Sequence, residues 1–192
     1  MTLMDDPAST SSAEMARLIE LAQGGDRQAF TSLFQRYHAQ ICTYVGRLVE
    51  NDEVGRDLAQ ETFLQAWQHL PDLRDALSFK AWLYRIATNL SHSYLRRERL
   101  VRWLPWIEHG EEESWKRLRL DGPEEQISKN ECIRLALAQV SPQNRTCLLL
   151  QSVIGFSQHE ISEIMGISQK CVGAYVSRGR EQFRLAYQRL NQ

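Results

Sequence analysis

The sequence predicts an all-α protein, two small helical domains joined by a flexible linker, and three observations carry that prediction. Apolar residues recur at three- and four-residue spacing along most of the chain, while alternating runs of Val, Ile, Thr and aromatic residues are missing. Helix-start residues and helix-stopping glycines and prolines punctuate the chain at helical lengths. Between about Leu100 and Ser128 the periodicity lapses for too long a stretch to be an ordinary loop within one compact domain. The expected organisation is a flexible leader over 1–12, a helical domain over 13–99, a linker over 100–127 and a second helical domain over 128–192.

In chain order, a first helix is expected from about Ser12 to Ala22, stopping at Gly24-Gly25. Asp26 caps a long second helix with Phe30, Leu33, Phe34, Tyr37, Ile41 and Tyr44 at helical spacing. Asn51-Asp52 breaks it. A third helix covers about Glu53 to Leu70 and ends at Pro71. After a short polar loop, Ser78 is a natural cap for a helix from Phe79 to about Arg99. The second domain opens with a helix over Ser128–Val140. Ser141-Pro142, a cap followed by proline at the first helical position, starts another that runs to about Val153. Gly155 ends it. Ser157 and Glu160 form a capping-box pattern before a short helix ending at Met165-Gly166, and Ser168 caps a final helix to about Leu190.

Composition narrows the function classes. With 43% hydrophobic and 24% charged residues among 192, the chain is neither wholly disordered nor collagen-like. No apolar run approaches the roughly 18 to 20 residues that span a bilayer, and Met1–Ser12 lacks the basic and apolar parts of a signal peptide. A cytoplasmic protein with no membrane partner is expected. Cys42, Cys132, Cys147 and Cys171 form no C-x-x-C pair, which fits a reducing compartment. His38 and Cys42 stand one helical turn apart, yet no second ligand pair accompanies them, so an ordinary amphipathic face is expected and no metal or cofactor.

The net charge is only −1, but it is unevenly placed. Five arginines against Glu98 make residues 85–103 basic, seven acids against three bases make 108–125 acidic, and 168–190 is basic again. Such runs are often just solvated faces. The acidic stretch also holds Trp115, with Trp103 and Trp106 just before it; they either pack back on a domain or anchor a partner.

The tail has the lengths of a helix-turn-helix: a short helix at 158–165, a turn at Gly166-Ile167 and a long helix from Ser168. Ile161, Ile164, Ile167 and Val172 would lock the pair. The second helix of such a motif lies in the DNA major groove, its first half toward bases. Arg178, Arg180 and Arg184 would then meet phosphates.

Two ordered blocks identify the chain as resembling a bacterial sigma factor. Asp57-Leu-Ala-Gln-Glu-Thr-Phe-Leu-Gln-Ala-Trp67, followed by Phe79-Lys-Ala-Trp-Leu-Tyr-Arg-Ile-Ala-Thr-Asn-Leu90 and Arg96-Arg97, resembles the second conserved region of that family, in the compact form of the extracytoplasmic-function branch. Ala138–Leu185, with Glu160-Ile-Ser-Glu-Ile-Met-Gly166 and Ser177-Arg-Gly-Arg180, resembles the fourth region. The resemblance spans roughly 14–99 and 128–188, with the linker where the third region is missing.

It implies a non-enzymatic transcription initiation factor that binds core RNA polymerase, through the clamp coiled coil and the flap, and promoter DNA. Asp57, Gln60 and Glu61 match the clamp-binding D-x-x-Q-E pattern and share one helix face. Ser78 and the loop before it, Lys80, Trp82, Arg85 and Asn89 match the element that reads and melts the −10 region, where unstacking must be offset by protein contacts. Trp82 is equally readable as packing. Ser168, Gln169, Lys170, Gly173, Ala174, Ser177, Arg178 and Arg180 fall on the surface that docks on the −35 element. Here the chain departs from its relatives: Cys171-Val-Gly-Ala-Tyr175 replaces long polar readers, leaving Gln169, Lys170 and Ser177, or DNA shape, to carry recognition. The family is often held inactive by an anti-sigma factor wedged against or between its domains, so the resemblance admits such a partner.

Two other classes fit less well. A regulator using the helix-turn-helix alone would leave the D-x-x-Q-E block without purpose. A nucleic-acid enzyme would need more than the Asp57 and Glu61 carboxylates, which no histidine or third acid joins.

Overall fold

The computed structural model describes residues 7–75, 78–102 and 129–191. Within them the chain is helical: α1 (Pro7–Gln23), α2 (Arg27–Val49), α3 (Asp52–His69), a 3-10 turn at Leu70–Asp72, α4 (Phe79–Arg102), α5 (Lys129–Ala138), α6 (Pro142–Leu149), a π-helical turn at Leu150–Ile154, α7 (Gln158–Met165) and α8 (Gln169–Leu190). The predicted linker's core, residues 103–128 with Trp103, Trp106 and Trp115, lies outside the described residues. No helix among those described is long and apolar enough to cross a membrane.

Local chemistry explains most boundaries. Asp26 accepts hydrogen bonds from the amides of Gln28 and Ala29, and Asn51 from those of Glu53 and Val54, so each satisfies orphan donors at a helix start. Ser157 and Glu160 close the reciprocal capping box. Gly155 and Gly166 adopt the left-handed conformation and end their helices.

Four boundary expectations need correction. Helix α1 starts at Pro7, so the leader reading does not hold over 7–12; proline suits a first helical position, where its missing N–H is not needed. Helix α6 does not run unbroken to Val153 but widens into the π-helical turn before Gly155. Ser141 and Ser168 stand at the cap positions of α6 and α8, yet neither side chain caps. The Ser141 hydroxyl turns to Gln182 Oε1 and that of Ser168 to Cys171 Sγ, at 3.4 and 3.0 Å. The Ser78 hydroxyl donates to the Asp75 carbonyl at 2.7 Å.

The first helical group packs α2 against α1, α3 and α4. Backbones of α2 and α3 touch: a Cβ on Gly55 would lie 2.6 Å from Gly46 Cα, a separation only glycine permits. Phe34 meets Phe63 and Phe30 meets Trp67 edge-on, both at 4.8 Å. The His38 ring lies 4.5 Å from that of Phe34 and its Nε2 is 3.4 Å from Cys42 Sγ. In the second group α8 crosses α5, α6 and α7, with Val172, Val176, Ile161, Ile164 and Leu149 buried between them.

The two groups share one apolar core. Helix α4 packs on α7, and α2 on α5 and α6. The Tyr84 ring is wedged between those of Tyr44 and Phe156, 5.2 Å from each. Arg145 of α6 is 3% exposed and donates to the carbonyls of Leu48, Ala138 and Val140. It also pairs with Glu50, which caps α2 in the left-handed conformation that non-glycine residues rarely hold. One guanidinium thus satisfies the C-terminal carbonyls of two helices from different halves of the chain.

Candidate functional site

Three surfaces carry the residues singled out by the sequence. On α3, one face is buried through Ala59, Thr62, Phe63 and Ala66. Turning outward from the same helix, Asp57 and Gln60 are exposed and Glu61 is half-buried. Glu61 accepts a hydrogen bond from Gln65 at 3.1 Å, whereas Asp57 and Gln60 have no hydrogen bond or ion pair among the described residues. Leu64 continues the face and is 51% exposed, so acids, an amide and an apolar side chain lie in one outward strip. Such a strip can bind a partner by polar contacts around an apolar centre.

On α4, helical geometry divides the predicted group. Trp82, Arg85 and Asn89 follow i, i+3, i+7 spacing and share a face, with Arg85 and Asn89 exposed. The Trp82 ring lies 5.9 Å from Phe79 and packs against the core, so packing is what this tryptophan does here. Lys80 lies on roughly the opposite side of the helix. Its ammonium donates to the Ile154 carbonyl at 3.3 Å and sits 4.8 Å from the centre of the Phe156 ring. It is therefore engaged by the second helical group and is not brought together with Arg85 and Asn89. Farther along α4, His92 Nε2 is 3.0 Å from Thr146 Oγ1. The threonine hydroxyl donates to the Pro142 carbonyl, so His92 is the donor in this contact. Burial, then the charges of Arg96 and Arg99, hold the His92 imidazole below its ordinary pKa, which keeps it neutral.

On α8, Val172 and Val176 face inward while Ser168, Gln169, Lys170, Ala174, Ser177, Arg178 and Arg180 are exposed and Gly173 is half-buried. Lys170 and Arg180 form no hydrogen bond or ion pair among the described residues. Arg178 lies over the Tyr175 ring at 5.9 Å, and Arg184 is already paired with Glu181. The first half of α8 is thus a shallow, small-residue surface edged by free cations.

Sequence reasoning missed Arg145, Phe156 and Gln182. Gln182 accepts from the Ser141 amide and hydroxyl and from the Asn144 side-chain amide, and so ties the start of α6 to α8. None of the three had a local signal, because each acts on residues at least 38 positions away or on the other half of the chain.

Comparison with known proteins matches the same two segments. The family model described as Sigma-70 region 2 matches residues 33–101, and that described as Sigma-70, region 4 matches residues 130–183. The chain is similar to the RNA polymerase sigma factor YlaC of Bacillus subtilis strain 168, 31% identical over 157 residues, 80% of this chain and 89% of the relative. It is also similar to the ECF RNA polymerase sigma-E factor of Haemophilus influenzae, 29% identical over 171 residues, 85% and 90% of the two chains. Among solved structures, the sigma factor RpoE from Bartonella quintana, in complex with the anti-sigma factor NepR, aligns with a TM-score of 0.67 at 21% identity. That alignment covers 83% of this chain and 96% of that one, and supports the fold.

Proposed function

The chain belongs to the sigma factors of bacterial RNA polymerase, of the extracytoplasmic-function type, and on that premise we propose how its surfaces divide the work of promoter-specific initiation. A sigma factor is not an enzyme: it binds the polymerase and directs it to promoters. Here α3 docks on the clamp coiled coil of core polymerase through Asp57, Gln60 and Glu61. The observation that carries this is the outward polar strip of α3, with Asp57 and Gln60 unpaired, backed by a fully packed inner face.

Helix α4 reads and opens the −10 element. Asn89 can hydrogen-bond a base edge and Arg85 a phosphate, and both are exposed on one face. Lys80, on the other side of α4, is held by Ile154 and Phe156 and becomes available to promoter DNA where the two helical groups separate. Helix α8 docks on the −35 element, with Lys170 and Arg180 available for phosphates. The family supports action in the cytoplasm, on the nucleoid when polymerase-bound. The anti-sigma partner in the Bartonella complex supports an inhibitor of that kind for this chain as well.

The test is core binding by Asp57→Ala, Gln60→Ala and Glu61→Ala combined. These side chains lie on the outward face, so the variant should fold normally and lose at least ten-fold in affinity. Native-strength binding by the folded variant would refute the assignment.

A further inference from the structure

We propose that Gln158 is a specificity-determining residue for the upstream promoter element, supplying from α7 the hydrogen-bonding group that α8 lacks at Gly173. This rests on the reading of α8 as the helix that enters the major groove.

Gly173 stands in the first half of α8 with no side chain to offer DNA. Packing does not demand glycine there. A Cβ at that position would meet only the Gln158 amide, at 3.7 Å from Nε2 and 3.8 Å from Oε1, an ordinary contact distance. Glycine is also a poor helix former, so helix stability does not favour it. What glycine does is leave space, and the Gln158 side chain fills that space.

Gln158 is well held for such a role. It is the first residue of α7, directly after a complete capping box: Glu160 accepts from the Ser157 amide and hydroxyl, and the Glu160 amide donates back to the Ser157 hydroxyl. The backbone carrying the amide is thereby fixed. The side chain itself is exposed and has no hydrogen-bond partner among the described residues. Its donor and acceptor are both free. Gln158, Gly173, Ser177 and Arg180 line one cleft of about 550 Å3, which places the amide beside a hydroxyl reader and a cation able to hold phosphate.

A carboxamide presents a donor and an acceptor side by side, the pattern complementary to adenine N7 and N6 in the major groove. A long side chain at 173 would occupy the same place. The gap in α8 and the free amide on α7 are thus two halves of one reading position.

The experiment is in vitro transcription by the full chain with core polymerase on a library randomised across the upstream element. Gln158→Ala should flatten base preference at one or two adjacent positions, on the order of ten-fold in discrimination, with downstream preferences and core affinity kept. Gln158→Glu, which keeps the size but loses the donor, should shift that position from adenine toward cytosine. Two results overturn the proposal while leaving the recognition-helix reading intact: an unchanged profile for Gln158→Ala when Lys170→Ala weakens promoter use, or weakening that is equal for all sequences, which marks a phosphate contact. If neither Gln158→Ala nor Lys170→Ala changes anything, the recognition-helix reading fails and the proposal with it.

Discussion

Replacing Arg145 with alanine should be among the most damaging single changes available to this fold. The side chain is 3% exposed, so it is effectively out of water. Its Nη1 donates to the Leu48 carbonyl at 3.0 Å, and Nη2 to the carbonyls of Ala138 and Val140 at 3.0 and 2.9 Å. Truncation strands these carbonyls at the ends of α2 and α5, and each buried unsatisfied group costs about 1–3 kcal/mol. It also leaves Glu50 without its cation. Removing one partner of a buried pair costs roughly 3–5 kcal/mol, but the Glu50 side chain is 36% exposed and rehydrates. Water can reach some of the freed carbonyls too, so the expected loss is about 3 kcal/mol. Glu50→Gln removes the ion pair but leaves the carbonyl bonds, and its amide oxygen can still accept from the buried guanidinium, so it should cost less, about 1–2 kcal/mol. Urea unfolding of the two variants measures both numbers, read from midpoints at matched slopes. A loss below about 1 kcal/mol for Arg145→Ala, or equal losses for the two variants, would refute the view that Arg145 acts chiefly by capping two helices.

Two further outcomes follow from the contact between the helical groups. His92 is held below its ordinary pKa of 6.5, first by burial and then by Arg96 and Arg99. As pH falls past 6.5 the unfolded chain takes up this proton before the folded one. Stability should therefore decline from about pH 6.5 down to the depressed folded value, and His92→Gln should remove that part of the slope; an identical pH profile for the variant would contradict this. Tyr84 buries its hydroxyl with no partner among the described residues, while its ring packs between Tyr44 and Phe156. Tyr84→Phe keeps the ring and removes the orphan, so thermal unfolding should show a gain of about 1 kcal/mol; a loss of that size would mean the hydroxyl is satisfied.

How far this was legible in the sequence depends on the range of the interaction. The caps at Asp26 and Ser157, the breaks at Gly155 and Gly166, and the helix-turn-helix all arise from residues within about four positions of one another, where sequence pattern and structure coincide. The polar strip of α3 was readable for the same reason. Lys80 was not, because its partners Ile154 and Phe156 are more than seventy residues away. Arg145 reads locally as a solvated charge on a short helix, and only the approach of α2 and α5 makes it a buried cap. Ser141 and Ser168 have the residue type of a cap, but Gln182 and Cys171 compete for their hydroxyls. The π-helical turn at Leu150–Ile154 has no signature in the sequence for which we have a physical account.

On the proposed division of work, this chain turns core RNA polymerase into a promoter-selective enzyme through α3 and α4. Run-off transcription with purified core polymerase on a promoter library tests it most directly. The full chain should restore initiation at defined sites sharing a −10 motif, and Asn89→Ala should abolish opening there without weakening core binding. No stimulation on any promoter in the library, or stimulation with no shared −10 motif, would contradict it.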